Sequence, residues 1–449
     1  MRFLFVENRY KTFFWEAIAE SLISKGHEIF WLVQNKNFRP SSGVVYQLPY
    51  PRKKDLVDDE FEAGSALSFI KSCDRNINYF GGSSAHYRFY FERISEALNE
   101  ISPDVSVGEP TLFHELMVVD WCNKNCVPYL HPSSPGYPTG RLTVYSGWTK
   151  SSYAGSGDEV SVEDCISLIK EISERNVVPD YMKDLGAEKR ELPRPGSVRD
   201  KIRILSAYLS GERFNTPSPI RKFKLNKLLS GKRESWNLIS EAKSTALGDK
   251  CVLMYPMHMQ PEANIDVWGN AWRDQTDLIR RLADMLPDDW ILAVKPNPKM
   301  KYELTKELLG VVSSEERVVP ISLDVKMEDF IQRVDAVVTV TGTIAIECLL
   351  SRIPVATLGP SVVKGYRGVF SSADLYLGDL SCLRGFLKEV QSGSWTSATT
   401  EEMVGFVKSA YSETFSGLVS DPMFMPECVS SKNVGLVVSS LISVIGSRK

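Results

Sequence analysis

An apolar run, Cys251-Val252-Leu253-Met254, breaks directly into Tyr255-Pro256-Met257-His258-Met259-Gln260-Pro261-Glu262, which gathers an imidazole, an amide and a carboxylate within a few residues. Such a group is costly to bury unpaired and useful where a polar substrate is met. The run reads as a buried strand, so the polar residues fall at its carboxyl end, where open α/β sheets bind ligands. His258 can hold a phosphate or move a proton; the competing reading is a satisfied core imidazole. Gln260 reads as an orienting hydrogen-bond donor. Glu262 reads as a catalytic or positioning carboxylate, or else as an ordinary helix cap.

Two later strands break in the same way. Trp290-Ile291-Leu292-Ala293-Val294 runs into Lys295-Pro296-Asn297-Pro298, a turn stiffened by proline that offers the Lys295 cation to a phosphate. Ala336-Val337-Val338-Thr339-Val340 runs into Thr341-Gly342-Thr343, a small-residue turn at the start of a helix, where backbone N–H groups and hydroxyls suit a phosphate. Glu347, one helical turn on, is expected to face the same crevice and accept from ribose hydroxyls; the alternative is a capped helix with a solvated carboxylate. Arg273-Asp274-Gln275 opens another helix, from which Gln275 is expected to reach donor hydroxyls. In the first half, Val105-Ser106-Val107 ends at Gly108-Glu109-Pro110-Thr111, making Glu109 a candidate acid or base, with an ordinary cap as the alternative, and the next helix carries His114 and Glu115. His131 to Pro138 reads as a rigid strand-end loop, with Tyr137, Tyr145 and Trp148 suited either to stacking on sugar rings or to packing.

The elements that must position these residues alternate. Arg2–Val6 and Glu28–Val33 read as strands flanking an amphipathic helix from Thr12 to Lys25 that stops at Gly26. Further strands are expected at 105–107, at 127–130 and near Val252, Leu292, Val318, Val337 and Val355, giving a doubly wound parallel α/β plan. The expected order is a Rossmann-like domain over 1–185, a basic interdomain excursion over 186–245, and a second Rossmann-like domain over 246–449. The last of these has closing helices, whose return to the first domain is the alternative. Between Gly186 and Glu234 stand thirteen Lys or Arg against five Asp or Glu, read as a solvated linker or as a contact for anionic lipid or a phosphate-bearing acceptor.

A chain of 449 residues with 43% hydrophobic and 24% charged residues and a formal net charge of −3 is globular, without the excess basicity of a nucleic-acid binder. The opening apolar stretch is too short for a signal peptide and Val434 to Ile445 too short to span a bilayer, so a cytoplasmic location is expected, peripheral at the inner membrane face if the basic stretch meets lipid. The eight cysteines are dispersed apart from Cys122 and Cys126, so neither disulfides nor a zinc site is expected. With no G-x-G-x-x-G after the first strand and no P-loop, nicotinamide and ATP-hydrolysing readings lose their support.

The string from Tyr255 to Ala263, then Trp268-Gly269-Asn270-Ala271-Trp272-Arg273-Asp274-Gln275, the strand ending in Val294-Lys295-Pro296-Asn297-Pro298, and Val340 to Ala356 together resemble bacterial capsule and surface-polysaccharide biosynthesis proteins. More distantly they resemble the retaining β-Kdo transferases of capsule assembly. The resemblance covers Val252 to Gly359 and implies two Rossmann-like domains of GT-B type facing a central cleft. It implies a metal-independent glycosyltransferase with no cofactor, a CMP-activated ulosonic acid such as Kdo as donor, and a glycan or lipid-linked saccharide as acceptor. Relatives usually carry Lys-x-His-Pro where this chain has Lys295-Pro296-Asn297-Pro298, so Asn297 replaces a histidine expected to touch the nucleotide. A polyol-phosphate transferase using a CDP-linked donor and a non-catalytic assembly subunit of the same machinery are the alternatives.

Overall fold

The computed structural model describes residues 1–57, 65–183 and 197–447. In chain order the strands are β1 (Arg2–Val6), β2 (Glu28–Val33), β3 (Val44–Gln47), β4 (Val105–Val107), β5 (Tyr129–Ser133), β6 (Arg141–Ser146), β7 (Cys251–Pro256), β8 (Trp290–Lys295), β9 (Val318–Pro320), β10 (Ala336–Thr339), β11 (Val355–Thr357), β12 (Val369–Phe370) and β13 (Phe415–Ser416). They form two sheets in two compact units. The first comprises Met1–Glu159, Val178–Arg221 and Ser409–Lys449; the second comprises Val160–Val177 and Lys222–Lys408.

The first sheet has the order β13-β6-β5-β4-β1-β2-β3. β1 to β5 pair in parallel, while β6 and β13 extend the β5 edge in antiparallel fashion. Helix Thr12–Ser24 ends as its composition requires, at Gly26, which takes φ +84 without the cost a Cβ would add. It packs Phe14, Trp15, Ile18 and Leu22 together with Val437, Val438 and Leu441 of helix Ser431–Gly446. β4 lies beside β1, on the side opposite β2, so the strand order reverses between β1 and β4, and crevices for ligands open at such points.

The second sheet, β12-β11-β10-β7-β8-β9, is wholly parallel. Its central strands are buried on both faces, which is why they read in the sequence as unbroken apolar runs. Its order reverses between β7 and β10, the strands whose carboxyl ends lead into His258 and Thr341.

Several expectations on domain limits and elements are corrected. The part of the basic stretch that is described is no linker: it forms helices Val198–Ser210 and Pro219–Ala242, and the unit boundary falls after Arg221 rather than at 245. Residues 186–196 lie outside the described residues. Burial explains the assignment of the second helix, since Trp236 is fully buried and donates from Nε1 to the Ile321 carbonyl. Val160–Val177 packs with the second unit, and the closing helix belongs to the first, where its apolar face completes the core. His131 is not in a loop but in β5, which continues to Ser133 because β6 pairs with it. Tyr137 and Tyr145 are core residues, and Trp148 packs on Phe69 at 5.1 Å, so packing claims the aromatics considered for sugar stacking.

Candidate functional site

At the switch point of the second unit, three of the expected groups meet. His258 follows β7 and is buried, its imidazole so close to the turn after β10 that a Cβ on Gly342 would stand 3.4 Å from its Cε1 and 3.0 Å from Thr339 Oγ1. A side chain at 342 would thus crowd the Thr339 hydroxyl and touch the imidazole. Thr341 donates from Oγ1 to the Asn264 carbonyl at 2.6 Å, tying the turn to the short helix Ala263–Asp266. Glu262 is the N-cap residue of that helix and half-buried; its Oε1 accepts from Asn264 Nδ2 at 3.0 Å. The loop carrying His258 and Glu262 and the small-residue turn with hydroxyls at Thr341 and Thr343 are therefore held together at the carboxyl ends of β7 and β10.

What holds this loop is a set of buried polar residues. Gln275, the first residue of helix Gln275–Met285, accepts at Oε1 from His258 N and from the Tyr255 hydroxyl, both at 2.8 Å. Through Nε2 it donates to the His258 carbonyl at 2.8 Å and to Gln260 Oε1 at 3.1 Å. It grips the main chain of His258 on both sides. Gln260 in turn donates to Asp266 Oδ1 and to the Arg273 carbonyl. Asp266 also accepts from Glu262 N, and Glu303 accepts the backbone N–H groups of Gln260, Lys301 and Tyr302. Burial raises the Glu303 carboxyl above its ordinary range, against the pull of those hydrogen bonds. Gln260 and Gln275 are thus found as scaffold, with their amides committed to the protein.

The other expected donor-side residues do not join this edge. Lys295 lies at the end of β8, which pairs with β7 on the side away from β10, and its Nζ donates to the Ser322 carbonyl at 2.9 Å. Burial lowers its pKa, with Asp324 opposing. Asn297 closes its own turn, accepting from Lys299 N at Oδ1. Glu347 forms an ion pair with Arg175, and the two line a pocket of about 370 Å³ with Ser173, Gln332 and Arg352, a lining that includes neither His258 nor Thr341.

A second polar cluster occupies the switch point of the first unit. Glu109, after β4, pairs with Lys11 at 2.5 Å. Burial alone would raise the Glu109 carboxyl, but Lys11 and then His131 outweigh it and hold the pKa below the usual value. Asn8 donates from Nδ2 to Glu109 Oε2 at 3.4 Å and to Glu115 Oε1 at 2.9 Å, bridging the two acids. Burial, then the charge of Glu109, push Glu115 well up, against hydrogen bonds from Leu112 and Thr111. Neighbouring carboxyls driven apart in this way suit one to stay ionised and the other to keep a proton. His114 and His131 are both lowered to about 4, chiefly by burial, and are neutral near pH 7.

Sequence reasoning passed over Glu7. Its carboxylate accepts from Arg9 N at 2.6 Å and Asn35 N at 2.8 Å, and burial pushes its pKa up to about 7. Its position directly after β1 was the available signal. Lys11, Asp266 and Glu303 were missed as well, and only Lys11, one residue before the first helix, lies near a strand end. Among the described residues no cluster of three or more His, Cys, Asp or Glu could hold a metal ion, and no helix is long and apolar enough to cross a membrane. The eight cysteines are free thiols.

Among solved structures the chain is similar to the β-Kdo 2,7 transferase KpsC of Thermosulfurimonas dismutans, at 12% identity over 99% of each chain with a TM-score of 0.32. It is similar to WaaG, a glycosyltransferase involved in lipopolysaccharide biosynthesis, at 11% identity over 99% of this chain and 100% of that one, TM-score 0.29. A UDP-GlcNAc 2-epimerase of Methanocaldococcus jannaschii matches at 11% identity over 99% and 100%, TM-score 0.25. No curated protein matches the sequence. Residues 223–369, which hold the second-unit switch point with the segments from His258 to Thr343, match the family of capsule polysaccharide biosynthesis proteins.

Proposed function

We propose that the protein is a glycosyltransferase of bacterial surface-polysaccharide synthesis that moves an ulosonic acid such as Kdo from a CMP-activated donor to a glycan or glycolipid acceptor. The observation that carries this reading is the coincidence of the family match over 223–369 with the switch-point edge formed by His258, Glu262 and Thr341-Gly342-Thr343. The donor phosphate is assigned to the turn at 341–343 beside His258. Glu262 is assigned as the donor-side carboxylate, with one oxygen oriented by Asn264. In a retaining, metal-independent route, Glu262 attacks the anomeric carbon as the bond to the CMP phosphate breaks and CMP departs with the electron pair. The acceptor hydroxyl then displaces Glu262 from the anomeric carbon and releases its proton to water; Glu109, kept ionised by Lys11, is assigned by itself as the acceptor-side acid or base of the first unit.

The competing reading is a non-catalytic assembly subunit of the polysaccharide machinery. It is favoured by one observation: Lys295 and Asn297, at the position of a family nucleotide-contact motif, are committed to Ser322 and to their own turn.

Thermal melting of the purified protein with CMP, CDP, UDP and GDP tests the donor class. A ligand at a hundred times its Kd stabilises by about 2.7 kcal/mol, and selective stabilisation by CMP is expected. Glu262→Gln keeps shape and removes charge, so it should leave CMP binding near normal and lower transfer by orders of magnitude. Wild-type turnover in that variant would return Glu262 to a capping role, and CMP binding without any transfer would favour the assembly subunit.

A further inference from the structure

Among the described residues, helix Val198–Ser210 meets the first unit through one face. Asp200 and Ala207 are buried, and the Arg203 guanidinium lies 4.4 Å from the Phe38 ring centroid and donates to the Asn37 carbonyl. The opposite face carries Val198, Ile202, Leu205 and Leu209, which are 73%, 62%, 42% and 69% exposed. Their spacing of four, three and four residues places all four in one stripe along the helix. A stripe of this kind on a helix already seated by its other side is unusual for a face that meets only water.

The exposed charges on this helix and on the chain that follows it to Lys227 have one sign. From Val198 to Lys227 the two carboxylates, Asp200 and Glu212, are both buried, whereas Arg199, Lys201 and Arg213 are exposed. The first turns of helix Pro219–Ala242 show the same combination: Ile220 and Phe223 are 71% and 70% exposed, interleaved with exposed Arg221, Lys222, Lys224 and Lys227. Among the described residues no carboxylate forms an ion pair with Lys222, Lys224 or Lys227.

We infer that the exposed stripe of helix Val198–Ser210 is a docking face for an anionic lipid bilayer. Its apolar side chains enter the boundary between headgroups and acyl chains, and the flanking arginines and lysines meet the headgroup phosphates. Charge complementarity selects this occupant over a second copy of the chain, since two such faces brought together would set cation against cation. The inference is independent of the glycosyl-transfer reading, because its readout is partitioning and not turnover.

The test is flotation of the full chain with vesicles of phosphatidylcholine alone and of phosphatidylcholine mixed with phosphatidylglycerol, at low and high salt. Wild type is expected to float with the anionic vesicles, to release as salt rises, and to ignore the zwitterionic ones. Ile202→Ser combined with Leu209→Ser should lower partitioning by roughly tenfold or more while leaving the melting temperature unchanged, since both side chains are exposed. Should that variant misfold, Arg199→Glu combined with Lys201→Glu carries the same expectation. Failure of wild type to bind anionic vesicles overturns the proposal, as does undiminished binding by the variants or equal, salt-insensitive binding to both vesicle types. A variant that changes self-association in sedimentation while leaving vesicle binding intact would make the face a contact between copies and likewise overturn it.

Discussion

Glu7 shows how one buried carboxyl ties chemistry to stability. Its pKa of about 7 in the folded protein stands above the ordinary value of 4.5, so between those limits the folded state binds the extra proton. Below about pH 4.5 both states are protonated and burial is uncharged; as pH rises through 7 the folded protein must ionise a buried group and loses about 3 kcal/mol. His114 acts in the opposite sense. With its pKa lowered to about 4, its contribution is present above pH 6.5 and is lost as pH falls towards 4. The wild-type profile sums both, so Glu7→Gln is the informative comparison. Relative to that variant, wild type should gain stability as pH falls from 8 to 5, measured by denaturant melts at each pH. A difference that does not change with pH would show that Glu7 is ionised throughout. The sequence offered Glu7 only as a single acid after a strand, and nothing local says that Asn35 and Arg9 will turn their N–H groups onto it. Glu262, His258 and the 341–343 turn were legible for the opposite reason: each follows a long apolar run, and the switch-point rule converts that position into a shared edge.

At the scale of elements, the loop from Met257 to Glu262 owes its shape to the first residue of a neighbouring helix. Gln275 makes four hydrogen bonds, to Tyr255, both sides of the His258 main chain, and Gln260. Gln275→Leu fills similar space and leaves those buried groups unpaired, which should cost about 3 kcal/mol or more and weaken nucleotide binding beyond what the stability loss explains. Normal nucleotide affinity in the folded variant would deny that Gln275 positions His258. Central strands such as β7, β8 and β10 were readable because burial on both faces leaves an uninterrupted apolar run. The edges were not. β12 and β13 are two residues long, and β13 exists only because Phe415 meets Leu142 from far along the chain, a pairing that no local pattern encodes. Lys295 was readable as a strand-end cation, but its partner is the Ser322 main chain, contributed by the segment after β9, and local sequence is silent about it.

At the scale of the whole chain, the first unit is assembled from three separated pieces, so its stability depends on the return of residues 409–447. Arg141, on β6, anchors that return: its guanidinium donates to Thr414 Oγ1 and to the carbonyls of Tyr411 and Thr414, and pairs with Asp158 at 2.6 Å. Beyond the anchor, helix Ser431–Gly446 buries Val437, Val438, Leu441 and Val444 in the core shared with Trp15 and Phe5. Leu441→Asp places an unpaired carboxylate there, a cost of several kcal/mol in a domain whose total stability is typically about 5–15 kcal/mol. The second unit has its own core, built around β7, β8 and β10 and sharing no residue with the first. The variant should therefore lose or sharply lower one calorimetric transition while a second persists, and nucleotide should still raise the second, because the edge from His258 to Thr343 belongs wholly to that unit. A single transition lowered as one, with nucleotide protection lost, would mean that the two units fold together and that the C-terminal return stabilises the donor-side crevice as well as the first sheet.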